Sequence, residues 1–295
     1  MDGEAIPTET STGVITLLFK KGDPAEIANY RPITLLNSLY KTFTRILASR
    51  LKHVLPSIIG HEQTAIPFRY IGNNIRLMGD ITRYTSTLNK NLYILMTDLE
   101  KAFDKISHDY LFNALHHFGF GARFIKTIKA LYLGNKAHVK VNNILSDPIK
   151  LNSGVRQGDP LSPMLFVIGI EPLIRAISDD PQINGFTLPD SSKVKISGYA
   201  DDLAMFIESV DDINRIEYWM KTFEKASCSR FNKNKCKMVS NASVEPTDYF
   251  QRISNDPAYS FKYLGGYFLT GPQLQPILGC PHQKIGINVQ HLWKG

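Results

Sequence analysis

Hydrophobic residues along this chain recur with two different spacings, and each spacing predicts its own type of element. The run VITLLF at 14–19 is typical of a strand, and it enters a basic turn, KKGDP. The next short run, LYILM at 92–96, is apolar throughout, as a strand buried on both faces would be. Between these runs, apolar residues follow helical spacing from Leu36 to Leu55, which predicts an amphipathic helix whose other face carries Lys41, Arg45, Arg50 and Lys52.

The same mixture of helices and strands continues as far as residue 227. Ser162 as N-cap and Pro163 in the first turn predict a helix that runs through Ile177. The remaining patterns predict, in chain order, helices at about 109–118 and 122–133, a hairpin of 137–141 with 147–151, strands at 194–197 and 203–208, and a helix at about 211–227. Because few residues separate the last two strands, Asp201 and Asp202 are expected at a hairpin tip.

Two adjacent carboxylates at a hairpin tip are chemically unusual. Like charges side by side raise each other's pKa unless a cation compensates them, although an Asp pair is also ordinary turn chemistry. Asp98 favours the first interpretation, because it follows a buried strand, where an unpaired carboxylate is unfavourable. If that strand lies beside the hairpin, three carboxylates converge, which suits Mg²⁺ and the two-ion clamp of phosphoryl displacement. The pattern indicates nucleotidyl transfer or phosphodiester hydrolysis.

Composition narrows the class of protein further. The 295 residues are 43% hydrophobic, which excludes a disordered, collagenous or coiled-coil chain, and a formal net charge of +7 favours a polyanionic partner. Three scattered cysteines make neither a disulfide framework nor a zinc site. The polar start is unlike a signal peptide, and the longest apolar run, at 164–170, is too short to span a bilayer. We therefore expect a soluble, intracellular protein with no membrane partner.

Five motifs in a fixed order carry a resemblance to a known family. They are DLEKAFD at 98–104, SGVRQGDPLSP at 153–163, YADD at 199–202, SRFNKNKCK at 229–237 and FKYLGG at 261–266. This series resembles the consecutive palm motifs of a reverse transcriptase. The upstream phrases LLFKKGDP and NYRPITLLNSLYKTFTRILASRL resemble the LINE-type, non-LTR retrotransposon enzymes. The resemblance covers about residues 14–268.

The resemblance implies a fold, a division of the chain and an activity. The fold is expected to be α+β, the fingers and palm of a right-hand polymerase, with an antiparallel palm sheet packed on helices and the thumb mostly missing. The activity implied is RNA-directed DNA polymerisation. The expected parts are a disordered tail at 1–13, fingers at 14–90 with a contribution from 105–150, the palm with its catalytic motifs at 91–268, and the start of a truncated thumb or connection at 269–295.

The resemblance also implies roles for individual residues. Two Mg²⁺ ions, for which Mn²⁺ can substitute, are expected on the catalytic residues Asp98, Asp201 and Asp202, with the Leu99 carbonyl as a further ligand. The residues expected to bind the incoming nucleotide are Lys20, Arg31, Phe103, Gln157, Gly158 and Lys235. The primer-grip hairpin is expected to contain Tyr263, Leu264 and Gly265. The implied partners are an RNA template, a DNA primer and deoxynucleoside triphosphates (dNTPs), and the implied location is the nucleus.

Several of these residues also have an ordinary structural explanation. By resemblance, Phe103 is the aromatic floor whose bulk excludes a ribose 2′-OH, but an aromatic in a first helical turn is also typical of a core. Gln157 and Gly158 match the position beside the incoming nucleotide, but they also suit a glycine-rich turn. Lys235 matches a proton donor to pyrophosphate, whereas most lysines cover solvated surfaces.

Two segments depart from the family pattern. QTAIPFR at 63–69 stands where members have a sequence like QTGFIPGR, so Phe68 replaces a glycine, and Cys228-Ser229 replace Gly-Leu in the fourth motif. These departures and the expected absence of a thumb leave an alternative open: an inactive truncated element fragment or a co-opted nucleic-acid-binding protein. A third alternative is another palm-fold enzyme, such as a nucleotide cyclase, against which the Gln157 loop and the fingers motifs argue.

Overall fold

A computed structural model describes residues 8–88, 90–242, 244–252, 260–269 and 275–277. The helices are α1 (Thr8–Ser11), α2 (Ser38–Ile58), α3 (Gly72–Leu88), α4 (Ala102–Lys105), α5 (His108–His117), α6 (Ala122–Tyr132), α7 (Ser162–Asp179) and α8 (Asp211–Ser227), with a 3₁₀ turn at Ile27–Asn29. The strands are β1 (Gly13–Phe19), β2 (Tyr30–Leu35), β3 (Tyr93–Met96), β4 (Lys136–Val141), β5 (Ile144–Leu145), β6 (Ile149–Lys150), β7 (Phe186–Thr187), β8 (Lys193–Val194), β9 (Ile196–Tyr199), β10 (Asp202–Ile207), β11 (Lys237–Ser240), β12 (Gln251–Arg252), β13 (Ser260–Tyr263), β14 (Gly266–Leu269) and β15 (Gln275–Ile277).

A five-stranded sheet, here called the central sheet, has the strand order β12-β11-β3-β10-β9. Its neighbouring strands are antiparallel except β11 and β12, which are parallel. Because β10 is antiparallel to β3, the start of β10 lies beside the end of β3, where Thr97 N–H donates to Leu203 O at 3.0 Å. The topology therefore brings Asp98 beside the tip that carries Asp201 and Asp202, as the carboxylate pattern predicted.

Alternating residues of the central sheet pack into two different hydrophobic clusters. Leu95 and Met205 belong to a large core that includes residues of α2, α5, α6, α7 and α8. Ile94 and Phe206 belong to a second cluster, with residues of α3 and of the β13–β14 hairpin. Because both faces are covered, β3 and most of β10 consist of apolar residues.

A second sheet has the strand order β2-β1-β4-β5, and β6 also pairs with β4. β1 and β2 form an antiparallel pair, whereas β4 runs parallel to β1. The pairing predicted for 137–141 with 147–151 is present at Ala137, which pairs with Ile149 of β6, whereas Lys140 and Val141 pair with β5 instead. The sheet joins strands from 14–90 and from 105–150, the two segments that the sequence assigned to the fingers.

The predicted cap of α7 is wrong. The helix begins at Ser162 itself, and Leu161, whose side chain cannot accept a hydrogen bond, occupies the cap position. The Ser162 hydroxyl lies 3.1 Å from the Tyr132 hydroxyl in a buried cluster, so a tertiary contact takes the place of the cap. Pro163 lies in the first turn as predicted.

The chain ends differ in how far the structure describes them. The disordered tail expected at 1–13 is wrong for its second half, because α1 begins at Thr8 and β1 at Gly13. Residues 1–7 lie outside the described residues. So does most of 269–295, the expected start of a thumb, apart from Leu269 and β15, which pairs with β14.

Candidate active site

The end of β3 and the tip of the β9–β10 hairpin position the three carboxylates. Asp98 lies two residues beyond β3, and its carbonyl accepts a hydrogen bond of 2.7 Å from Asn232 N–H. Asp201 and Asp202 follow Ala200, whose φ of +54° turns the chain between the two strands. The predicted hairpin tip is therefore where the sequence placed it.

The carboxylates are close enough to perturb one another's ionisation. Burial, together with the charges of Asp201 and Asp98, raises the pKa of Asp202 to about 6. Burial and the charge of Asp98 also raise the pKa of Asp201. Lys20 opposes both shifts, and Lys235 Nζ lies 3.5 Å from Asp98 Oδ2. Negative charge is therefore concentrated at this edge of the sheet, and nearby lysines offset part of it.

The donor chemistry of this cluster fits a hard divalent cation, because its ligands are carboxylate oxygens whose mutual repulsion such an ion relieves. Within the described ranges, however, no three Asp, Glu, His or Cys side chains stand close enough together to hold a metal ion. Asp98 and Asp201 line one cleft, and Asp202 is not among the residues that line it. An ion shared by all three carboxylates therefore requires some side-chain movement.

That cleft, with a volume of about 790 Å³, collects the residues of several motifs. It is lined by Asp98, Leu99 and Asp201 and by all six residues expected to bind nucleotide, namely Lys20, Arg31, Phe103, Gln157, Gly158 and Lys235. Tyr30 and Asp104 are among the lining residues for which the sequence predicted no role. Burial raises the pKa of Asp104, and its Oδ1 lies 3.5 Å from Gln157 Nε2. Tyr30 lies in the phrase NYRPITLLNSLYKTFTRILASRL and Asp104 in the motif DLEKAFD, so the motifs themselves could have indicated both residues.

The β1–β2 hairpin carries two of the basic residues and also holds the Gln157 loop. Lys20 follows β1 directly, and its N–H donates to Asn29 O at 2.9 Å across the basic turn. Arg31 lies in β2, and farther along this strand Thr34 N–H donates to Gln157 O at 2.8 Å. Hydrogen bonding between these distant segments therefore brings the cations and the amide to one cleft.

Gly158 is required by the close approach of its loop to β2. Its φ is +108°, a conformation that side chains strongly disfavour, and a Cβ at this position would lie 2.9 Å from Thr34 O. The glycine thus serves the contact between the loop and the strand, and the same contact places Gln157 at the cleft.

The sequence left open whether Phe103 is a core residue or the aromatic floor of the nucleotide site, and the structure shows features of both. Its ring stacks on Phe166 of α7 with 5.0 Å between the centroids and 14° between the planes. Its carbonyl accepts a hydrogen bond of 2.6 Å from Val155 N–H. The side chain is half-buried and also lines the cleft, so it is packed from behind and accessible in front.

The predicted primer-grip residues lie at the tip of the β13–β14 hairpin, where Tyr263 ends β13 and Leu264 and Gly265 form the turn. Leu264 and Gly265 have φ of +47° and +88°, which makes the turn tight. Burial raises the pKa of Tyr263 to about 12, and the charge of Asp202 contributes. Its hydroxyl lies beside Ser197 and Asn74, but neither contact has the geometry of a hydrogen bond. The turn is therefore near Asp202 and outside the 790 Å³ cleft.

A sheet edge with clustered carboxylates beside a basic cleft is the arrangement of a nucleotidyl-transferring polymerase with fingers and palm. The family described as reverse transcriptase (RNA-dependent DNA polymerase) matches residues 19–268. The chain therefore belongs to the reverse transcriptase family, as its five motifs predicted. The identification of its LINE-type, non-LTR character is confirmed by relatives from retrotransposable elements.

Two of these relatives show how much of a longer protein the chain matches. It is 32% identical over 267 residues to the transposon TX1 uncharacterized 149 kDa protein of Xenopus laevis, covering 89% of this chain and 20% of that protein. It is 26% identical over 313 residues to the retrovirus-related Pol polyprotein from type-1 retrotransposable element R2 of Popillia japonica, covering 97% of this chain and 44% of that protein. The chain spans less than half the length of these curated relatives.

Solved structures of telomerase share the fold. One from Candida tropicalis, truncated from the C-terminal domain, gives a TM-score of 0.62 at 13% identity and covers 93% of this chain and 56% of its own. One from Candida albicans gives a TM-score of 0.57 at 12% identity, with coverages of 94% and 47%. The predicted α+β polymerase fold is thus confirmed. In the part of the chain that the structure describes, no helix is both long and apolar enough to cross a membrane.

Proposed function

We propose that this chain is the catalytic domain of an RNA-directed DNA polymerase from a non-LTR retrotransposon. It would extend a DNA primer on an RNA template from dNTPs, with chromosomal DNA in the nucleus as the site of action. The observation that carries the proposal is the single cleft lined by two of the three motif carboxylates and by all six predicted nucleotide contacts. Family membership and the names of the relatives agree with it.

Asp98, Asp201 and Asp202, with the Leu99 carbonyl, are the residues proposed to hold divalent ions. Two Mg²⁺ ions suit the all-oxygen donors, and Mn²⁺ is the expected substitute. When bound, such ions supply Lewis-acid stabilisation of phosphoryl oxygens and of the attacking hydroxyl. The raised pKa values of Asp201 and Asp202 agree with the assignment, because burial and repulsion from neighbouring carboxylates both disfavour negative charge that a cation would stabilise.

The remaining cleft residues are proposed to bind and orient the nucleotide. Lys20 and Arg31 bind the triphosphate by charge, because both lie on the β1–β2 hairpin at the cleft. Gln157 and Gly158 lie beside the incoming nucleotide and its template base. Phe103, whose ring stacks on Phe166, is proposed to contact the sugar of the nucleotide.

Bond formation then needs no protein nucleophile. The primer 3′-hydroxyl releases its proton to solvent, and its oxygen forms a bond to the α-phosphorus of the dNTP. The bond from that phosphorus to the oxygen that bridges to the β-phosphorus breaks, which releases pyrophosphate. Lys235 is proposed to donate a proton to the pyrophosphate; in the structure its Nζ lies near Asp98. The turn of Tyr263, Leu264 and Gly265 is proposed to position the primer.

The test is primer extension on a homopolymer RNA template, with and without Mg²⁺. We expect products that require the ion, and Asp201→Asn is expected to lower extension at least about 100-fold because transition-state charge loses its stabilisation. The matched control is Asp147→Asn, an exposed carboxylate outside the cleft, which should extend like the wild type. A folded wild type that binds RNA but makes no product with Mg²⁺ or with Mn²⁺ would instead favour the inactive, co-opted alternative.

A further inference from the structure

The segment around Gln63 lies against strand β9, next to the Asp pair. Gly198 N–H donates to Glu62 O at 2.8 Å, and Thr64 N–H donates to Gly198 O at 2.9 Å, which forms a one-residue parallel bridge between Gln63 and Gly198. Gln63 is fully buried, with 0% of its surface exposed. Its segment therefore extends the edge of the central sheet at the β9–β10 hairpin.

The Gln63 side chain binds both backbone polar groups of one hairpin residue. Its Oε1 accepts a hydrogen bond of 2.8 Å from Ala200 N–H, and its Nε2 donates to Ala200 O at 3.1 Å. Oε1 also accepts from Ala65 N–H at 2.9 Å, which fixes the orientation of the amide. A primary amide is suited to this contact because it carries a donor and an acceptor side by side.

Ala200 is a residue for which such support matters. Its φ of +54° is in the left-handed region, which a side chain with a Cβ disfavours, and it immediately precedes Asp201. Gly198 leaves space for the contact, since a Cβ there would lie 3.4 Å from Gln63 Nε2 and 2.8 Å from Leu203 Cδ2. Both backbone groups of this left-handed residue, which immediately precedes the carboxylate pair, are therefore held by one buried side chain.

We propose that Gln63 is a positioning residue for the reaction. It holds Ala200 in the left-handed conformation and thereby fixes how Asp201 and Asp202 leave the tip of the β9–β10 hairpin. The reaction it would serve is the polymerisation proposed above, so this inference rests on that proposed function. The positioning itself is a property of the hairpin, and it can be measured without activity.

Two substitutions remove different hydrogen bonds between the Gln63 side chain and Ala200. Gln63→Met has similar length and removes both bonds to Ala200, whereas Gln63→Glu keeps an acceptor and loses the donor to Ala200 O. Because small displacements of reacting groups lower rates steeply, we expect kcat to fall about 10- to 100-fold in Gln63→Met. The Mg²⁺ concentration for half-maximal extension should rise, while the Kd for primer–template stays within about twofold, since a fully buried Gln63 side chain cannot contact the nucleic acid.

Rescue distinguishes positioning from general destabilisation. Glycine adopts a left-handed φ without the steric cost of a Cβ. Adding Ala200→Gly to Gln63→Met should therefore raise the kcat of that variant at least about tenfold. The matched control is Thr85→Val, which removes a buried hydrogen bond to Ile81 O in α3, away from the hairpin. Thr85→Val should lower Tm without changing kcat or the Mg²⁺ dependence.

Amide hydrogen exchange at Ala200 measures the positioning of this residue without requiring polymerase activity. In the wild type this N–H is bonded to Gln63, and Gln63→Met should speed its exchange at least about tenfold while the core of α7 stays protected. Faster exchange together with glycine rescue supports the proposal. Unchanged exchange, or a loss of kcat that Ala200→Gly does not restore, overturns it. If the wild type makes no product, the proposed polymerisation fails, and exchange alone decides the positioning role.

Discussion

At the residue scale, charge and packing at the β9–β10 tip explain the main features of the site. Asp98 and the Asp pair could be predicted to converge, because an unpaired carboxylate after a buried strand needs compensation. The contact of Gln63 with Ala200 could not be predicted in this way. It depends on two segments 137 residues apart and on a left-handed alanine that the local pattern does not reveal.

The titration of Asp202 gives a pH-dependent stability. Unfolded Asp has a pKa of about 3.9, whereas burial and its neighbours raise the folded pKa to about 6. The folded state therefore binds this proton more tightly, and the stabilisation is full below about pH 4 and lost as pH rises through about 6. Part of the Asp202 surface nevertheless stays in contact with solvent, so screening by water reduces the effect.

The corresponding measurement is Tm from pH 4 to 7 without divalent ions. Asp202→Asn should match the wild type near pH 4 and become more stable than it, by a few degrees, near pH 7. Asp147→Asn should follow the wild-type curve at every pH, because it lies in an exposed segment. A Tm difference for Asp202→Asn that does not grow with pH would argue against carboxylate repulsion at the tip.

Phe103 gives a second prediction at this scale. Phe103→Val shortens the side chain at the cleft, so incorporation of ribonucleotides relative to deoxynucleotides should rise about tenfold or more as the steric exclusion of one hydroxyl is relieved. The measurement is the ratio of the two kcat/KM values. Phe166→Leu, which removes the stacking partner but is not among the cleft-lining residues, should change that ratio much less. An unchanged ratio with a lowered Tm would make Phe103 a core residue only.

At the element scale, helices and strands with strong periodicity were predictable, and elements defined by distant contacts were not. The strands at β3 and β10 and the helix α8 follow from their apolar patterns. Helix α3 was missed because its sequence, GNNIRLMGDITRYTSTL, is largely polar and its apolar side chains bury against the β13–β14 hairpin. The cap of α7 was wrong because Ser162 bonds to Tyr132 from another helix.

The docking of the Gln157 loop on β2 can be tested with two glycines. Gly158 and Gly119 both have positive φ, but a Cβ at Gly158 would meet Thr34 O at 2.9 Å, whereas one at Gly119 would meet nothing within 4 Å. Gly119→Ala should therefore cost only about 1–2 kcal/mol of unfolding free energy from backbone strain. Gly158→Ala should cost more and also raise KM for dNTP. Chemical denaturation and steady-state kinetics measure these effects, and equal costs with equal KM would contradict the docking role.

At the scale of the whole molecule, the two hydrophobic clusters fix the central sheet between helices, and the second sheet closes the cleft from the other side. The resemblance carried by the motifs predicted an antiparallel sheet packed on helices, and the central sheet matches this except for the parallel β11–β12 pair. The parallel pairing of β1 with β4 was not predictable, because nothing in either strand specifies a partner more than a hundred residues away.

The charge on α2 yields a prediction about nucleic-acid binding. At 100° per residue, Lys41 and Arg45 share one flank of the helix with Lys52. Arg50 lies on the opposite flank beside exposed Leu39 and Ile46, so the prediction that all four basic residues share one face is wrong for Arg50. If the basic flank contacts phosphates, Lys41→Ala with Arg45→Ala should reduce the slope of log K against log salt by about 2. Arg50→Ala is the matched control and should leave the slope unchanged. Equal slopes for all variants would remove this flank from the interface.

We propose that the cleft beside Asp98 and Asp201 is a template-directed polymerase site. Its most direct test is single-nucleotide incorporation on an RNA template of defined sequence, comparing the wild type with Asp98→Asn. The wild type is expected to add only the complementary dNTP, in a reaction that needs a divalent ion. Asp98→Asn is expected to retain primer–template binding but to lose incorporation at least about 100-fold. Incorporation by Asp98→Asn at the wild-type rate, or addition without regard to the template base, would contradict it.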